Sequence, residues 1–146
     1  MVNKQLRPAA SLLLFLNLCM YAVVLGLSGW AINRIINYGR FGFGQNAASL
    51  YMILLSLIAG AVGLVSCLFG LNHITYWRRT DSLPAVAAAA AIAWGLTMLA
   101  FGFACKHIKL HTDSEHLKTL EAFIIILSGT MLLYILVIHE IMKRGN

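Results

Sequence analysis

The chain has 146 residues, 60% of them hydrophobic and only 11% charged, with a net charge of +6. A water-soluble domain of that size and composition would expose far too much apolar surface, so the chain reads as a membrane protein. The basic surplus is no signal for nucleic acid, because it is scattered in pairs over short segments and forms no basic stripe; Lys and Arg in such places anchor helices at lipid headgroups.

The first apolar stretch runs over residues 8–32. It is too long for the core of a secretion signal and shows no small-residue cleavage site, so it reads as an uncleaved spanning helix. Asn17 lies deep in it, with Tyr21 and Ser28 on the same face. Two roles are open to Asn17: an interhelical hydrogen bond, or a polar step on a substrate path. Gly26 and Gly29 offer close approach near its end. The glycine-rich connector Gly39–Gly44 lacks the preceding strand of a phosphate-binding loop.

The second stretch covers residues 48–71. Ser56, Gly60, Gly63, Cys67 and Gly70 recur at steps of three and four and form a small-residue face. Lipid tails are as apolar as Leu, so membrane helices associate through close backbone contact and a few polar bonds. That face predicts a packing surface and makes this helix the central element of a left-handed bundle; pore lining is the alternative. The third stretch, residues 83–104, opens with Ser82, Leu83 and Pro84, a cap residue followed by a proline in the first turn. Its Ala87–Ala91 run and Gly95 extend the packing surface.

Lys106, His107, Lys109, His111 and His116 fill the third connector. His107 and His111 have a spacing that suits a metal on a helix, yet no obvious ligand set completes it, so the histidines read as solvated interface residues. Thr112 and Glu115 form a capping box that starts the last helix ahead of its apolar stretch, residues 119–141. Glu121, Ser128 and His139 share one stripe of that helix, with Ile125, Leu132 and Ile135 between them. Two readings stand for Glu121. It sits within the apolar layer as a functional group, or it lies at headgroup depth paired with Lys106 or Lys118.

None of the four stretches contains Lys or Arg. Continuous apolar runs of about 20 residues are helices, not the short alternating strands of a barrel. The fold class is therefore an all-α membrane protein, a four-transmembrane-helix bundle with both termini on one side, making one domain over residues 1–146. Lys4, Arg7, Arg78, Arg79, Lys143 and Arg144 crowd the tails and middle connector, which places the termini in the cytosol. Trp30, Tyr51, Tyr76 and Trp77 fall near span ends, as aromatic belts do. Cys19, Cys67 and Cys105 make no disulfide framework and read as small buried residues.

Several segments carry a resemblance. Asn17–Ala22, Gly29–Arg34, Gly70–His73, Asp81–Pro84, Ala93–Trp94, Gly102–Lys106, Leu120–Phe123 and Ile126–Thr130 look like the plant plasma-membrane family first named for a nineteen-kilodalton wheat protein. The resemblance covers all four spans in order. The first connector departs from it in being shorter. The resemblance implies a plasma-membrane protein tied to abscisic acid, dehydration and seed maturation, with uptake of abscisic acid as the proposed activity. It supplies no binding residues.

Two functions follow as expectations. One is a facilitator for a small carboxylic acid, with Lys106, His107 and Lys109 at the mouth and Asn17, Glu121, Ser128 and His139 along the path. With only four helices it would call for a homo-oligomer. The other is a structural or regulatory tetraspan that stabilises the membrane or partner proteins under water stress. No cofactor, metal or nucleic-acid partner is expected, and no nucleophile, metal set or acid–base pair suggests an enzyme.

Overall fold

The computed structural model describes residues 2–39, 47–75, 83–109 and 115–145, and they form four α-helices: α1 Val2–Tyr38, α2 Ala47–Thr75, α3 Leu83–Lys109 and α4 Glu115–Gly145. Each carries an apolar segment of at least 26 residues, enough to cross a bilayer. The helices run beyond the apolar stretches that define them. α1 continues through Arg34 to Tyr38 and stops at Gly39, whose φ of 69° is the left-handed conformation that ends a helix and that glycine adopts without strain. α3 begins at Leu83 with Pro84 in its first turn, where a missing N–H costs nothing. Ser82, Thr112, His111, Tyr76 and Trp77 lie outside the described residues.

Each helix packs on its sequence neighbours, and α4 closes the ring against α1. α1 and α3 therefore face each other diagonally, as do α2 and α4. Both termini lie at one end of the bundle. We call this the terminal end and the opposite one the hinge end, where α1 meets α2 and α3 meets α4.

Burial follows one rule in all four helices. In α1 it falls on Ala10, Leu14, Asn17, Tyr21, Val24, Ser28 and Ala31; in α3 on Val86, Ala90, Ala93, Thr97, Ala100, Ala104 and His107. The steps alternate between three and four without a break. α2 and α4 keep the same register through Ser49, Ser56, Gly63 and Gly70, and through Leu117, Ile124, Met131 and Ile138. A strict repeat of seven residues drifts against the 3.6 of a straight helix, so the helices must supercoil left-handedly to hold it. No helix occupies the centre of such a ring. α2 is the most buried of the four, not a hub.

Its glycines explain that burial. A Cβ at Gly63 would collide with the Tyr21 ring, and one at Gly60 would lie 3.2 Å from the backbone nitrogen of Leu25. A Cβ at Gly70 would sit 2.8 Å from the Tyr134 hydroxyl and 3.0 Å from Leu14 Cδ2. Two large aromatic side chains thus enter the core where α2 has no side chain. Gly95, expected to join this packing, does not: a Cβ there, or at Gly26 or Gly29, meets nothing within 4 Å. Of the three cysteines only Cys67 is buried; Cys19 and Cys105 face outward, off the seven-residue register.

Candidate functional site

Polar side chains inside the bundle fall into two groups, one around the middle and one at the hinge end. In the middle, Thr130 donates its hydroxyl to Asn17 Oδ1 at 2.7 Å, joining α4 to α1. Asn17 Nδ2 donates in return to the Thr130 carbonyl at 3.5 Å and lies 3.6 Å from Met131 Sδ. Across the diagonal, the Tyr21 and Thr97 hydroxyls are 3.0 Å apart. Thr97 already gives its proton to the Ala93 carbonyl at 2.8 Å, so Tyr21 is the donor. Trp94 Nε1 donates to the Ser128 carbonyl at 3.2 Å and ties α3 to α4. Asn17 therefore acts as an interhelical lock, the first of the two roles open to it.

The four residues expected along a path are not brought together. The Ser128 hydroxyl is turned back onto the Ile125 carbonyl at 2.7 Å, and His139 is exposed. The reason is the supercoil. Glu121, Ser128 and His139 line up on a straight helical wheel, but the seam follows a period of 3.5, and eighteen residues along it has rotated away from His139.

The hinge-end group is different in kind. Glu121 is buried, and its Oε1 accepts from Nδ1 of His107, which is buried as well. The partner is neither Lys106 nor Lys118; both lysines are exposed. His107 is thus no solvated interface residue. It occupies an inward position of α3, one turn beyond Ala104, and turns its ring into the bundle, while Lys106 and Lys109 beside it point out. Two ionisable side chains in an apolar setting are costly to desolvate, and either partner alone would be costlier still. His107 Nε2 and Ser49 Oγ are buried without a hydrogen-bond partner among the described residues.

Around this group the hinge end is basic. Arg34, Lys106, Lys109 and Lys118 are exposed there, against the exposed Glu115. Arg34 lies 5.4 Å from the Trp30 ring centre, and that ring packs on His116 at 4.5 Å. Trp30 and Tyr51 are exposed, as interfacial anchors should be. The described residues contain no cluster of three metal-ligating side chains.

Sequence reasoning missed Thr97, Thr130 and Ser49. The signal was available: reading α3 in steps of four and three from Val86 reaches both Thr97 and His107 as inward positions.

This is a four-helix membrane-spanning bundle, with aromatic and amide locks at its middle and one buried acid–base pair at its hinge end. The chain belongs to the AWPM-19-like family, which matches residues 15–141. It is 43% identical over 137 residues to the protein named Membrane protein PM19L from Oryza sativa subsp. japonica, a match covering 92% of this chain and 79% of the rice protein. No solved structure matches it.

Proposed function

We propose that this protein facilitates entry of abscisic acid, or a similar small carboxylic acid, across the plant plasma membrane during dehydration stress. The observation that supports the reading best is the His107–Glu121 pair, an ionisable couple buried in an apolar bundle beneath exposed Arg34, Lys106, Lys109 and Lys118. Intramembrane ionisable groups are expensive and are kept where a proton or a polar ligand must be handled. The surrounding cations concentrate an organic anion at the mouth. In this reading the hinge end faces outside and both termini are cytosolic, in line with the Lys and Arg of the tails. The core of one copy is closed at its middle by Tyr21 and Tyr134, so passage uses a rearranged bundle or a homo-oligomer. No bond of the solute is made or broken, and neither cofactor nor nucleic acid takes part.

Those same aromatic locks support a second reading. A bundle filled by Tyr21 against Gly63 and Tyr134 against Gly70 also suits a rigid tetraspan that transports nothing and stabilises membrane or protein partners under water stress. Uptake of labelled abscisic acid into liposomes holding only this protein separates the two. Entry faster than in protein-free liposomes supports the first reading, and equal rates support the second.

A further inference from the structure

We propose that the hinge end of the bundle holds a binding site for a protonated carboxyl group, formed by His107 Nε2 and Ser49 Oγ with Glu121 as the positioning residue. The proposal deepens the transport reading and rests on it for the choice of solute.

Four other hydroxyls of the inner seam have partners. Ser28 donates to the Val24 carbonyl at 2.6 Å, Ser56 to the Met52 carbonyl at 2.5 Å, and Thr97 and Tyr21 are bonded as described. Ser49 and His107 break the pattern. Each residue is 2% exposed, and its Oγ or Nε2 has no partner among the described residues. Buried polar atoms are almost always satisfied, so two orphans in one region call for a third party.

They are at the same depth. Contact between the Tyr51 and Phe103 rings, 5.6 Å apart, sets the register of α2 against α3. Ser49 lies two residues beyond Tyr51 toward the hinge end, and His107 four residues beyond Phe103 in the same direction. At about 1.5 Å per residue the two differ in height by about 3 Å. Both face inward, from neighbouring helices.

The chemistry of the ligand follows from the tautomer. In the tautomer that donates Nδ1–H to the Glu121 carboxylate, His107 Nε2 carries a lone pair. Ser49 then offers a hydroxyl proton. A ligand that fits presents one donor and one acceptor side by side. A protonated carboxyl does so: its O–H donates to Nε2 and its C=O accepts from Ser49. Should the acid proton pass to Nε2, the pair becomes imidazolium and carboxylate, with the same atoms and total charge, and Nε2–H then donates to the carboxylate. Glu121 steadies that imidazolium. A bare anion against that lone pair finds no donor on Nε2, meets the Glu121 charge and is repelled. A cation is turned away by Arg34, Lys106, Lys109 and Lys118 outside. Water is small enough to bridge the same atoms, and the test must separate it from an acid.

The test uses the full chain in phosphatidylcholine nanodiscs, with abscisic acid and its methyl ester as probes. The ester keeps the shape and loses the acid proton. Ser49→Ala removes one orphan. His107→Asn keeps a donor near the Nδ1 position for Glu121 and removes Nε2. The wild type should prefer the acid over the ester. Each variant should lose about tenfold in acid affinity while ester binding stays the same. Ser49→Ala should also melt no lower than the wild type, because it deletes a hydroxyl that has no partner among the described residues. Absence of acid preference in the wild type overturns the proposal. So does full acid affinity in both variants, the result expected if water alone bridges the two atoms. Intact acid binding without uptake into liposomes would sink the transport reading and leave the site standing. Lost binding with unchanged uptake would do the reverse.

Discussion

At Gly63 a methyl group has no space, whereas at Gly95 it meets nothing. The two positions look alike in sequence, each a glycine between bulky residues of an apolar helix, and both were expected to pack. They separate only when the Tyr21 ring is placed, because that ring fills the volume a Gly63 side chain would need. Gly63→Ala should therefore force Tyr21 off its Thr97 bond and cost about 1–3 kcal/mol in detergent unfolding. Gly95→Ala should be neutral, or stabilising by up to about 1 kcal/mol through helix propensity. Equal melting of the two variants would mean that the Gly63 face is not a contact surface. The His107–Glu121 pair responds to substitution in the same residue-specific way. Glu121→Leu strands a buried imidazole and His107→Leu a buried carboxylate, so each should cost about 3–5 kcal/mol. The double variant should be far less damaging than the sum of the two, since an apolar pair of similar volume replaces a buried polar pair at little cost. Strict additivity in a double-mutant cycle would show that the two side chains do not meet.

Each helix is legible in the sequence as an element, and its seam is not. An absence of Lys and Arg over 20 or more residues marks a span whatever its neighbours do, which is why all four helices appear where the apolar stretches predict them. Which face of the helix turns inward depends on the supercoil, and that is a property of four helices together. A wheel of period 3.6 keeps Glu121, Ser128 and His139 on one stripe. The seam of period 3.5 keeps Glu121 at its edge and sheds His139. The same shift hides His107, which lies among two lysines in a segment that reads as a connector, yet forms the last inward position of α3. Between elements the locks are modest. Tyr21→Phe removes one donor while Thr97 keeps its bond to Ala93, so a loss of about 0.5–1 kcal/mol is expected, typical of interhelical hydrogen bonds in membranes. Thermal melting of the purified variant measures it. A loss several times larger would mean that the diagonal bond organises the whole bundle.

For the whole molecule, the asymmetry of the two ends matters most. The hinge end gathers the buried acid–base pair, the two orphaned polar atoms and a ring of exposed cations, while the middle is sealed by aromatic side chains. If the hinge end faces outside, a single cysteine introduced at Lys109 should react with an impermeant thiol reagent on intact cells of a background lacking Cys19, Cys67 and Cys105. One introduced at Lys143 should not. The reverse pattern would put the proposed mouth in the cytosol.

The most direct test of the account as a whole is the initial rate of labelled abscisic acid entry into liposomes containing only this protein, measured for the wild type and for folded Glu121→Gln beside protein-free liposomes. Entry well above the protein-free rate is expected for the wild type, and a changed rate for Glu121→Gln, which keeps its shape and loses the charge that steadies His107. A wild type that moves no more acid than bare lipid would contradict it.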